Sequence, residues 1–177
     1  MLEPWENFYL LVGSAAGALI GLLFVVTTLT TNMDRARAEQ GQSLYMTPVV
    51  YHLAFVLTLS ALAMAPPITT FVFGTTVSAG ALLGLAWSIR IAALMHKADK
   101  QMVPHWSDPW CYGICPALAY VLLGAGGVLL ALAKLPGISL IGGATVILLI
   151  ISIRNAWDLV TWLAPRKGTH PDPEKQE

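Results

Sequence analysis

The chain has 177 residues, of which 56% are hydrophobic and 11% charged, with a mean hydropathy of +0.66. Soluble domains carry about 25% charged residues, so this composition belongs to the membrane class. Ten Lys and Arg balance ten Asp and Glu, which leaves no basic field to attract nucleic acid.

Reading in chain order, an apolar run long enough to cross a bilayer needs about 20 residues, and charges and prolines delimit five of them. The first, residues 8 to 31, follows Glu3 and Glu6 rather than a basic segment, so it is expected to persist as a membrane helix and not as a cleaved signal. It carries Gly13, Gly17 and Gly21 at four-residue spacing, with Ser14 and Ala16 beside them. Small residues on one helical face allow another backbone to approach closely where lipid provides no hydrophobic drive. This ladder predicts tight packing within the chain, between copies, or with another membrane protein.

The second run, 46 to 65, and the third, 68 to 94, are separated by Pro66-Pro67. Proline lacks an amide donor and disfavours helix at the preceding residue, so a tight hairpin is predicted. The third repeats the small-residue spacing at Thr76, Gly80, Gly84 and Ser88. Asp108-Pro109 reads as an N-cap and first helical proline for the fourth run, 110 to 133, in which Pro116 predicts a kink and Gly127 and Ala131 offer another small face. Pro136-Gly137 separates it from the fifth, 138 to 163, where Gly142-Gly143 loosens the helix. One membrane bundle over 1 to 164 is expected, with a proline-rich, charged tail from 165 to 177 predicted to be disordered.

Arg35, Arg37, Arg90, Lys97, Lys100, Arg166, Lys167 and Lys175 then fall on one side, against Lys134 on the other. The rule that cytoplasmic loops retain Lys and Arg predicts five transmembrane helices with the N-terminus outside and the C-terminus inside. On that topology His52, Arg90, Arg154, Asn155 and Asp158 share the cytoplasmic leaflet, with Thr27, Thr28, Thr30 and Thr31 ending the first span. Two alternatives follow: a polar network lining a vestibule, or arginines that snorkel beside the interfacial Trp87, Trp157 and Trp162. Arg154 and Asp158 can pair along one helix, but in the weaker order. His52 and Arg90 are therefore the expected interhelical partners of Asp158.

Chemistry-bearing patterns are sparse. Cys111 and Cys115, with His105 and His96 nearby, are weak candidates for a metal, because zinc sites use closer cysteine pairing. Free thiols are expected, with no cofactor. No zinc-protease, phosphate-loop or nucleophile-elbow motif occurs, and a non-catalytic protein is expected.

The segments FYLLVGSAAGALIGLLFV, 8 to 25, and RNAWDLVTW, 154 to 162, resemble a group of small, uncharacterised bacterial multi-pass membrane proteins. The resemblance implies a bacterial inner-membrane location and carries over no functional residue. The expected function is helix–helix association, as a homo-oligomer or an accessory subunit of a membrane complex. The alternative is an oligomeric channel or facilitator with a cytoplasmic polar vestibule. The bilayer and either the chain itself or another membrane protein are the expected partners.

Overall fold

The computed structural model describes residues 3–29, 45–65, 68–97 and 108–163. The expected disordered tail, the Pro66-Pro67 turn, the Arg35 and Arg37 loop, His105, Lys100, Thr30 and Thr31 lie outside the described residues.

Every described element is a helix. A 3-10 turn, Glu3–Trp5, leads into α1, Glu6–Leu29. Then come α2, Thr47–Ala63, and α3, Thr70–Lys97. A π-helical turn, Trp110–Ile114, opens α4, Cys115–Ala131, and α5 is Pro136–Leu163. The all-helical bundle of five apolar helices agrees with the sequence. Four of its helical segments, the π turn with α4 counted as one, are long and apolar enough to cross a membrane, whereas α2 has only 17 residues. At 1.5 Å per residue α2 covers about 25 Å, less than the expected 46 to 65, because Met64 and Ala65 already leave the helix through bonds to Ser60, Ala61 and Leu62 carbonyls.

The helices form two groups. α3 packs most closely on α4, and α4 on α5; α1 pairs with α2, and α2 docks this pair onto α5. Glycine explains the closest approaches. A Cβ on Gly74 would lie 2.5 Å from the Gly127 carbonyl oxygen and 2.6 Å from the Ala131 amide nitrogen, so α3 and α4 touch backbone to backbone. A Cβ on Gly137 would lie 2.6 Å from the Gly126 oxygen, which fixes α5 against α4 in the same way. Close backbone contacts of this kind supply the van der Waals density that small residues allow between helices.

The connection between α4 and α5 corrects the sequence reading. Pro136-Gly137 is not the break; Pro136 begins α5, where its missing amide hydrogen leaves no helical bond unmade. The chain turns instead at Ala133, whose φ of 56° is left-handed. Ala133 N–H donates to the Leu130 carbonyl and Lys134 N–H to the Leu129 carbonyl, each at 2.9 Å. This is the Schellman arrangement, which satisfies the last carbonyls of a helix.

The start of α4 is a second correction. Asp108 and Pro109 are already helical and lead into the π turn, so Asp108 is not the residue outside the helix that an N-cap must be. Cys115 N–H reaches back five residues to the Trp110 carbonyl. Pro116 is the local cause: its ring would collide with a carbonyl four residues earlier and it has no hydrogen to donate. Widening one turn relieves the collision, so the predicted effect of Pro116 takes the form of a π turn.

Candidate functional site

The glycine ladder of α1 does not stay on one face. At 3.6 residues per turn, residues four apart rotate by about 40° per step. Gly13 faces inward, where a Cβ would lie 2.8 Å from Cβ of Ser60 on α2, and Ala16 is fully buried. Gly17 and Gly21 have no atom of the described residues within 4 Å of the Cβ position. With the exposed Ser14 and Ala18 they form a small-residue face pointing away from the bundle. Of the predicted packing glycines on α3, Gly80 lies against the Phe55 ring, at 3.0 Å from the Cβ position, and Gly84 against the Tyr120 ring. Each admits an aromatic side chain rather than a neighbouring backbone.

The five residues expected to form one polar network occupy three places. His52 is fully buried on α2, and its Nδ1 lies 2.9 Å from the hydroxyl of Tyr120 on α4. Around this pair stands an aromatic group: Tyr51 stacks on Trp87 at 5.4 Å, and Phe55 meets Tyr120 edge-on at 5.1 Å. Arg90 is exposed, its guanidinium 5.7 Å from the Trp87 ring centroid, within cation–π range.

Asn155, Arg154 and Asp158 meet at the π turn. In a regular helix the Cys111 carbonyl would accept from Cys115 N–H. That hydrogen goes to Trp110 instead, and the next residue, Pro116, has none. Asn155 on α5 fills the gap by donating from Nδ2 to the Cys111 carbonyl at 2.8 Å. In return the Tyr112 hydroxyl donates to the Asn155 backbone carbonyl at 3.0 Å. Arg154 Nη1 donates to Asn155 Oδ1 at 3.1 Å and pairs with Asp158 at 3.0 Å. Asp158 therefore pairs with Arg154, not with His52 or Arg90: the weaker order of the pair is offset because Asn155 also holds the guanidinium. Both charged side chains are about two-fifths exposed, and such a pair contributes about 0.3–0.5 kcal/mol.

A further clasp closes this end of the bundle. The Tyr45 hydroxyl, just before α2, donates to the carboxylate of Asp108 at 3.1 Å, and its ring meets Tyr112 edge-on at 5.1 Å. Burial first, and the Asp108 carboxylate second, push the Tyr45 phenol above its ordinary pKa.

Cys111 and Cys115 are free thiols, both half-buried. Among the described residues, no three His, Cys, Asp or Glu side chains are close enough to share a metal ion. The residues that sequence reasoning missed are Tyr112 and Tyr120. Tyr112, Pro116 and Tyr120 recur at four-residue spacing on one side of the same helix, and that pattern was the available signal.

By fold this is a helical bundle of membrane character. Comparisons with protein-family models, curated proteins and solved structures find no match.

Proposed function

We propose that the chain is a multi-pass protein of the bacterial inner membrane, N-terminus outside, which acts through helix–helix association and not through catalysis. The supporting observation is the face of α1 formed by Ser14, Gly17, Ala18 and Gly21. It is small enough for a second backbone to approach, and none of the described residues covers it. Gly74, Gly126, Gly127 and Gly137 seat backbone or side chains of the chain itself, whereas Gly17 and Gly21 do not. α1 is also the least buried of the four long helices, at 22% of its apolar window. A helix–helix contact at this face is the arrangement favoured by small residues in lipid.

The occupant is a second copy of the chain or a partner helix. Extraction in mild detergent, followed by size measurement and identification of every polypeptide in the assembly, distinguishes these outcomes. Wild-type protein is expected to run as an assembly larger than one chain, and Gly17→Leu to run as the single chain with its thermal stability retained. An assembly unchanged in Gly17→Leu counts against the proposal. Ion or solute flux by the pure protein in liposomes would support a channel instead.

A further inference from the structure

One exposed stripe runs along most of α3. Ala79, Leu83, Ala86, Arg90, Ala93 and Lys97 recur at alternating four- and three-residue steps, the spacing that keeps residues on one side of a helix, and all six are exposed. The stripe changes character along its length. Its first three residues are apolar, and its last three include two cations.

The change falls at a definite depth. Residues 70 to 89 rise about 30 Å, the thickness of the hydrocarbon layer. An upright α3 with Thr70 at one edge of that layer places Arg90 at the other edge and Lys97 about 10 Å beyond it. Phospholipid phosphates lie at that depth, just outside the acyl chains.

The two cations are uncompensated. Of the described carboxylates at this end of the bundle, Asp158 pairs with Arg154, and the buried Asp108 accepts from Tyr45. Among the described residues, no hydrogen bond or ion pair engages Arg90 or Lys97. Arg90 is nevertheless positioned, with its guanidinium 5.7 Å from the centroid of a Trp87 ring that itself stacks on Tyr51 of α2 at 5.4 Å. A cation–π contact leaves the guanidinium its N–H donors, and a phosphate diester carries the oxygens that such a fork binds in pairs. Lys97 is on the same face, and its Cα–Cβ bond tilts back toward Arg90. A soluble anion would meet these cations and leave the apolar part of the stripe bare, whereas a lipid covers both.

We propose that this stripe docks one anionic phospholipid, its phosphate on Arg90, Lys97 adding attraction, and an acyl chain along Ala79, Leu83 and Ala86. The site rests on the reading that the helices span a bilayer, and it holds for either orientation of the N-terminus.

Native mass spectrometry of the detergent-solubilised chain, titrated with dioleoylphosphatidylglycerol or with the charge-neutral dioleoylphosphatidylcholine, measures the binding. Wild type is expected to favour the first phosphatidylglycerol by about fivefold or more, the order expected for one basic residue acting on an anionic lipid. Arg90→Gln should remove that preference, and Lys97→Gln should reduce it. Lys134→Gln, which deletes an exposed cation beyond the end of α4, should leave it unchanged. Glycerol 3-phosphate, a headgroup without chains, should not compete at equal concentration. The site is overturned by an Arg90→Gln variant that keeps the preference, by an equal loss in Lys134→Gln, or by full competition from glycerol 3-phosphate. A polypeptide lost from Arg90→Gln while lipid preference persists would assign the face to a protein partner instead. Sedimentation with carbonate-washed membranes checks the underlying reading separately. A chain left in the supernatant refutes both, whereas a sedimenting chain whose Arg90→Gln variant keeps the preference refutes the lipid site alone.

Discussion

Replacing Asn155 by alanine removes the donor that reaches the Cys111 carbonyl at 2.8 Å. The helix cannot supply another, because Cys115 N–H is engaged by Trp110 and Pro116 has no hydrogen. A buried carbonyl left unpaired costs about 1–3 kcal/mol, although side-chain hydrogen bonds between membrane helices average only about 0.6 kcal/mol. The inability of the helix to compensate places this one near 1.5 kcal/mol, on the order of the lower half of the first range. At roughly 2–4 °C per kcal/mol for a chain of this size, Tm should fall by about 3–6 °C. Pro116→Ala returns an amide hydrogen, which lets the turn contract and the Cys111 carbonyl bond within its own helix. In the double variant the loss of Asn155 should therefore matter less, with a coupling of about 1 kcal/mol in a double-mutant cycle. Thermal unfolding of the four proteins in one detergent gives the cycle. Effects that add within about 0.5 kcal/mol refute the link between the proline, the π turn and Asn155.

Three further outcomes are expected. Gly74→Ala places a methyl against the Gly127 oxygen and the Ala131 amide and should lower stability by about 1–3 kcal/mol, while Gly17→Ala should change it by less than about 0.5 kcal/mol; equal losses in thermal unfolding would contradict the packing described. Ala133→Gly relieves a left-handed alanine at φ 56° and should stabilise by about 0.5–1 kcal/mol, checked by the same measurement. A membrane-impermeant maleimide should label Cys111 only from the cytoplasmic side, and labelling from outside would reverse the proposed orientation.

Much of the fold was legible because charge is so scarce: the long helices lie where uninterrupted apolar sequence put them. Their ends were less legible because a proline can begin a helix as readily as it breaks one. Pro136 does the former, and the turn fell on Ala133, a residue with no turn signature. The polar layer was read by depth along each helix, and depth alone does not fix the direction in which a side chain points. Arg90 and His52 share a leaflet on the proposed topology, yet one is exposed and the other fully buried. The glycine ladders were similarly read at fixed spacing, whereas a 3.6-residue helix rotates such a ladder off its face. The buried side of α3 accordingly runs through Gly74, Val77, Ala81, Gly84 and Ser88, and Thr76 lies outside it. Asn155 was recognisable as a polar residue in an apolar helix, but its acceptor was a backbone carbonyl created by a proline on another helix.

Association through α1 is tested most directly in the native membrane. Single cysteines placed at Ser14, Ala18 or Gly21, in a background with Cys111 and Cys115 replaced by serine, can be oxidised before any detergent is added. Cross-linking to a second copy or to one partner polypeptide is expected at these positions and not at Ala16, which is buried against the chain's own helices. No cross-linked product at any of the three, or equal cross-linking at Ala16, would contradict the account.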